Sequence, residues 1–307
     1  MTNLKLVLND EKLNAAKIEK VEKTAKVITT IVLYAFLVIM ALIVLIPFYW
    51  MIITSLKTNE EVIASQQTFF PKVIMWQNYA EALGPDSTFE FWTYLKNTLV
   101  VGIFSTIGTL FTTIFSAFAF ARLNFKGKNV LFTIFLATMM IPGEMLVITN
   151  YITVAKLGWI GTDLTGAYLS MIIPFWVSVF YIYLLRQNFK QIPNELYYAA
   201  KVDGKSDWQY LWKVMVPIAM PTLISIFILK LMGAWNSYVW PNLVADRPEW
   251  RLISNGLRGA FQDTSSGHIR YELQMAATVV VTVPLLLLFI FFRKYIMRGV
   301  SRAGLKG

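Results

Sequence analysis

The chain has 307 residues, of which 56% are hydrophobic and 15% charged, with a mean hydropathy of +0.55 and a net charge of +10. That balance lies far from the profile of soluble globular domains and predicts a membrane protein. The absence of cysteine excludes disulfides, thiolate metal sites and cysteine nucleophiles, and one histidine, His268, is too few ligands for a metal centre.

Apolar runs of bilayer-crossing length, about 20 residues each, fall at about 27–53, 97–121, 130–150, 165–185, 214–240 and 275–292. They predict an all-α integral membrane fold of six spans, because continuous runs lack the alternation of a β-barrel. Pro47, Pro142, Pro174, Pro221 and Pro284 lie inside spans, where neighbouring helices and Ser or Thr hydroxyls satisfy freed backbone groups. The chain therefore divides into an N-terminal segment 1–26, a six-helix domain 27–297 and a tail 298–307. Its first apolar run is too long for a cleavable leader, and no small-residue cleavage site follows. With the N-terminus inside, 19 of the 28 Lys and Arg fall in inner segments and eight in outer ones, Lys230 being intramembrane. This bias predicts a multi-pass protein of the cell membrane with both termini cytoplasmic. Topology then accounts for the net charge, and no nucleic-acid partner is implied.

Residues 1–26 mix Lys17 and Lys20 with Asp10, Glu11, Glu19 and Glu22, as expected of a solvated or interfacial helix leading into the first span. The outer segment 57–94 carries Pro71, Trp76, Asn78, Tyr79, Gly84-Pro85 and Trp92, which predicts a loop with short helices at headgroup level. Arg122 to Lys128 is a tight positive inner turn, and 151–164 is a further outer connection. Glu144 in the third span and Lys230 in the fifth are intramembrane charges, each costing about 2.5–3.5 kcal/mol at mid-helix, and so are candidates for the substrate path. At 1.5 Å per residue they lie roughly 21 and 24 Å from their inner helix ends, a depth at which they could instead neutralise one another. Lys230 could also snorkel outward.

The inner loop 190–213 holds Pro193-Asn-Glu-Leu-Tyr-Tyr-Ala-Ala-Lys-Val-Asp-Gly204, followed by Lys205-Ser-Asp-Trp-Gln209. Gly204 supplies the left-handed residue that ends one helix. Ser206 and Gln209 then have capping-box spacing for the next. Two short helices joined at a glycine form a knob for another protein to grip. Ala199 to Ser206 also satisfies a relaxed phosphate-loop pattern, but no buried strand precedes it and the loop has one Gly, so nucleotide binding by this chain is not expected. Trp235 and Asn236 offer an aromatic face and an amide suited to a sugar, whereas Trp240-Pro241 reads as an interfacial anchor. The long outer loop 241–273, with Arg258, Gln262 and Ser265, has the mixed charged and aromatic character of a protein contact. No carboxylate pair, triad or metal cluster suggests catalysis, so an enzyme is not expected.

The loop with Ala199-Ala200, Asp203-Gly204 and Pro217 resembles the coupling loop of ATP-binding-cassette importer permeases. Met140-Ile-Pro-Gly-Glu144, Phe70-Pro71 with Asn78-Tyr79, Trp235-Asn236 with Trp240-Pro241, and the Gly304-Leu-Lys-Gly307 ending are similar to carbohydrate importers of the maltose and multiple-sugar type. The resemblance covers about residues 30–307 and implies that Glu195, Tyr198, Ala199, Ala200, Asp203 and Gly204 meet an ATPase. One departure stands out: Tyr198 occupies the place of the family's usual Glu, with Glu195 one turn back on the same face. The implied partners are a second homologous permease, two ATPase subunits that bind ATP and Mg, an extracytoplasmic solute-binding protein touching Arg258, Gln262 and Ser265, membrane lipid, and a sugar or oligosaccharide. The alternatives are a permease of the same class for glycerol phosphate or another small polar solute, and a stand-alone secondary transporter, which would need midplane ion sites and leaves the knob unexplained.

Overall fold

The computed structural model describes residues 2–262 and 268–304, with side chains placed for 22–262 and 268–295. Three helices have the length and apolarity to cross a membrane unbroken: α1 (Thr2–Ser55) through Glu22–Ser55, α4 (Phe91–Ala121), and α15 (Tyr271–Gly304) through Tyr271–Tyr295. Three further candidate spans are broken pairs. Lys128–Met140 and Gly143–Lys156 meet at 90°, Leu164–Phe175 and Val179–Gln191 at 47°, and Asp207–Ile218 and Met220–Trp235 at 76°. The six-span reading holds if each bent pair counts as one span; the expectation of straight helices in the third, fourth and fifth does not. Each break carries a proline, Pro142, Pro174 or Pro221, which lacks an N–H and crowds the preceding turn.

α1 crosses the boundary drawn at residue 26 without interruption and packs against α15, leaving its apolar residues from Val27 to Ile46 exposed. Its C-terminal end is sealed by the segment that follows. Asn78, at the start of α3 (Gln77–Leu83), donates to the carbonyls of Ser55 (2.9 Å) and Lys57 (2.8 Å), and the Tyr79 hydroxyl meets Ser55 Oγ at 2.7 Å. Buried Lys57 donates to Thr68 O at 2.6 Å, and Glu61 in α2 (Asn59–Ile63) accepts from the Thr68 hydroxyl and from Lys72 N at 3.1 Å. Asn78 therefore closes carbonyls at and just past the helix end while Tyr79 holds the Ser55 side chain, a structural task for the pair.

α4 is the central post. Thr98, Gly102, Ser105, Thr106, Thr109 and Thr113 are buried along it, a small-residue stripe that lets neighbouring helices approach closely. It packs on α7 (Leu164–Ile172), α8 (Val179–Gln191) and α12 (Met220–Trp235). The break between α7 and α8 is held by hydroxyls from α4: Thr109 donates to Phe175 O at 2.9 Å and Thr112 to Trp176 O at 2.6 Å. These bonds satisfy carbonyls that a continuous helix would have paired internally. Helices α5 (Lys128–Ala137) and α6 (Val147–Lys156) form the first broken pair, on the flank of the bundle.

Candidate functional site

At one end of the bundle, α9 (Asn194–Val202) and α10 (Asp207–Tyr210) form the expected two-helix projection. Gly204 has φ +71°, Gly204 N donates to Lys201 O at 3.0 Å, and Lys205 N donates to Ala200 O at 2.9 Å. This is the paired 5→2 and 6→1 closure of a Schellman turn. The capping box forms too: Ser206 Oγ accepts from Gln209 N (3.3 Å), and Gln209 Oε1 accepts from Ser206 N (3.1 Å). Asp207 then ties the two helices, accepting from the Tyr197 hydroxyl at 2.9 Å and pairing with Lys201 at 2.8 Å.

The projection is fixed to the bundle. Ala200, Tyr210 and Leu211 are buried with Ile114, Ala117 and Phe118 of α4 and with Leu185 and Phe189 of α8. Arg122, at the end of α4, donates to Asn194 Oδ1 and to the carbonyls of Phe189 and Ile192, gripping the α8–α9 junction. Trp208 stacks on Phe115 of α4 with centroids 5.7 Å apart. Glu195, Tyr198, Ala199 and Val202, spaced i, i+3, i+4 and i+7, form one exposed stripe, with Tyr198 63% and Val202 88% accessible. The alanine pair thus splits: Ala200 packs inward, 4% exposed, and Ala199 faces out. The Gly-Lys-Ser sequence is the inter-helix turn itself, with the Ser206 hydroxyl taken up by capping and Lys205 3.6 Å from Asp203.

Within the bundle a cavity of about 390 Å³ opens at the α7–α8 break, beside α4 and α12. Phe175, Tyr181 and Trp240 supply aromatic wall, Ser105, Ser178 and Ser237 supply hydroxyls, and Lys230 is the charged residue of the lining. Lys230 Nζ donates to Phe175 O at 3.0 Å and lies 5.6 Å from that ring's centroid. A span broken at mid-depth, with irregular backbone facing a mainly apolar hollow that holds a few polar groups, is how membrane proteins place a ligand or conduction site.

Several sequence-predicted positions are rearranged here. Glu144 lies in the turn Gly143–Leu146 just past the 90° bend, exposed and away from the cavity, and among the described residues no ion pair joins it to Lys230. The equal-depth argument fails because it assumed straight helices where the chain bends by 90° and 76°. Nor does Lys230 snorkel outward: its ammonium bonds to the backbone inside the bundle. Trp235 is 5% exposed, packed with Ile253, Phe261 and Leu273, and Asn236 turns back to donate to Met232 O at 3.0 Å. Neither lines the cavity. Trp240, read as an interfacial anchor, is buried, donates Nε1–H to Ser170 O at 3.0 Å and forms part of the cavity wall. Tryptophan content alone could not separate the two, since each sits near a span end. Arg122, Gly108 and Phe175 carried no distinguishing sequence signal.

At the opposite end from the projection, most of 241–273 is folded down onto α4. Asn97 Nδ2 donates to Glu249 O and Arg251 O at 2.9 and 3.0 Å, and Ile253 N donates to Thr98 Oγ1 at 2.8 Å. Further along, Gln262 pairs with Ile269 in an isolated antiparallel bridge. Arg258, on α14 (Ile253–Arg258), is exposed and lies 4.7 Å over the Tyr238 ring, Gln262 is exposed, and Ser265 lies outside the described residues.

A helical bundle of up to six spans, with a lysine-bearing hollow at a broken helix and a two-helix projection fixed to the bundle, defines a multi-span membrane protein built for transport. Residues 108–302 match the family of binding-protein-dependent transport system inner membrane components, and the chain belongs to that family. It is similar to the trehalose/maltose transport system permease protein MalG of Thermococcus litoralis, at 30% identity over 92% of this chain and 99% of that one. It is also similar to the arabinooligosaccharides transport system permease protein AraQ of Bacillus subtilis, at 28% identity over 90% of this chain and 96% of that one. Among solved structures, a chain of a bacterial ABC transporter involved in the import of the acidic polysaccharide alginate superposes with a TM-score of 0.75. That match has 26% identity and covers 87% of this chain and 96% of that chain.

Proposed function

We propose that this chain is the permease subunit of an ATP-driven importer for a sugar or oligosaccharide delivered by an extracytoplasmic binding protein. The observation that carries this reading is the projection: a rigid two-helix element, anchored by a buried core and by Arg122, with an outward stripe of Glu195, Tyr198, Ala199 and Val202. Such an element transmits force, because a packed interface responds as a unit rather than deforming. The partner ATPase pair binds ATP and Mg; its closure pushes on the stripe, with Tyr198 or Glu195 supplying the polar contact that the resemblance assigns to a Glu. α4 and α8 carry the displacement to the broken span beside Lys230. The exposed apolar face of α1 meets lipid and a second homologous permease, and both termini are cytoplasmic. This chain itself binds no nucleotide or metal and performs no covalent chemistry.

The test is reconstitution with the partner permease, ATPase and binding protein in proteoliposomes. ATP-dependent saccharide uptake that disappears when this chain is omitted is expected. Uptake driven by an ion gradient without the ATPase overturns the reading, and exclusive uptake of glycerol 3-phosphate moves the substrate to the second reading of the sequence.

The segment near Gln262 is the docking point for the binding protein. A cysteine at Gln262 is unique, because the chain has none. Gln262→Cys carrying a short photo-cross-linker should trap the binding protein in the assembled importer. The same probe at Val130 on the lipid-exposed flank should not, and equal yields at both positions would remove the assignment.

A further inference from the structure

The geometry points to a uronate-type carboxylate as the group recognised in the Lys230 cavity, so that the saccharide this importer carries is acidic. This rests on the transport reading above and narrows its substrate class.

The argument is one of charge and valence. Lys230 stands mid-way along the second half of a broken span, a position where a cation is retained at substantial cost unless it has a partner. The cavity lining contains no Asp or Glu, and among the described residues no carboxylate pairs with Lys230. Its protein hydrogen bond goes to one neutral acceptor, Phe175 O. An ammonium has three donors, so this bond and the Phe175 ring 5.6 Å away leave hydrogen-bonding capacity free and the unit charge without an ionic partner.

The surroundings fit a sugar bearing that anion. Phe175, Tyr181 and Trp240 provide apolar faces on which a pyranose ring can lie, and Ser105, Ser178 and Ser237 stand among them for its hydroxyls. The volume of about 390 Å³ lies within the usual range of ligand sites. Charge count separates the candidate anions. A carboxylate carries one negative charge and is neutralised by one lysine, whereas a phosphate monoester carries about −1.5 to −2 and would leave excess charge in a poorly solvated site. A neutral sugar would leave the lysine itself uncompensated.

The experiment uses the complete importer in proteoliposomes and a panel of labelled uronate oligosaccharides (galacturonate, glucuronate, and mannuronate with guluronate), their neutral counterparts, and hexose 6-phosphates. The expected result is uptake of one uronate series with kcat/KM at least tenfold above its neutral counterpart. Lys230→Gln should raise KM for that substrate at least tenfold, and Lys230→Arg should retain most of the uptake. Efficient transport of neutral oligosaccharides without preference for the acid would overturn this proposal while leaving the transport reading intact. So would preference for the phosphates. An equal fall in kcat for acidic and neutral sugars in Lys230→Gln would also reject it, because that outcome assigns Lys230 to holding Phe175 O alone. Failure to take up any saccharide would instead count against the underlying transport reading.

Discussion

Replacing Gly204 by Val should reduce ATP-driven uptake at least tenfold while leaving the amount of protein in the membrane near normal. Gly204 has φ +71°, and a Cβ built there meets no atom within 4 Å, so the penalty is purely one of backbone conformation. The left-handed region costs an L-residue about 1–2 kcal/mol, more when the side chain is β-branched. That is enough to unseat a two-bond turn on which the angle between α9 and α10 depends. The packing of α4, α8 and the outer core is untouched, so insertion should survive. Because space is not the constraint, uptake should rank Gly, Asn, Ala, Val, following each residue's tolerance of positive φ rather than its volume. Co-purification of the ATPase should fall in the same order. Native uptake in Gly204→Val, or an Asn variant as damaged as the Val one, would show that the turn does not set the projection's geometry.

A second large effect is expected at Gly108, for the opposite reason. Here a Cβ would lie 2.1 Å from Trp176 Nε1 and 2.2 Å from its Cδ1, far inside contact distance. The backbone carrying the indole is held by Thr109 and Thr112 from the same face of α4, so relief must come from turning the exposed indole out of this contact. Overpacking of this kind costs typically about 1–3 kcal/mol. Gly108→Ala should therefore lower both the thermal stability of the purified complex and uptake, the latter at least fivefold. Adding Trp176→Ala should restore much of each, because it removes the atoms the new methyl strikes, and that non-additivity reports direct contact. A Gly108→Ala protein with native stability, or a double variant no better than the single, would mean that α4 does not approach the break so closely.

The two-helix projection was legible in the sequence because its determinants are local. A glycine after a helix, a Ser-x-x-Gln spacing and a flanking proline each act within a few residues, and the structure contains the turn and capping bonds they imply. The number of candidate spans was legible for a similar reason, since bilayer thickness fixes the length of an apolar run whatever its neighbours. The course of those spans was not. Pro47 and Pro284 lie inside continuous helices, while Pro142, Pro174 and Pro221 stand at bends. At the Pro174 bend, Ser170 O, four residues before the proline, accepts from Trp240 Nε1, while hydroxyls from α4 and an ammonium from α12 reach Phe175 O and Trp176 O, and such partners are set by tertiary contacts alone.

For that reason Glu144 and Lys230 lie unpaired among the described residues, and Trp235 packs into the core while Trp240 walls the cavity. By itself the sequence determined the class of protein and the local shape of the projection, because hydropathy, capping and turn chemistry are short-range properties of the chain. Only the tertiary structure decided which charge enters the interior cavity, which tryptophan walls it, and that Arg122 fastens the projection to the bundle. Each of those facts depends on where a bent helix points after its break, and small differences in carbonyl satisfaction at a proline redirect everything that follows it.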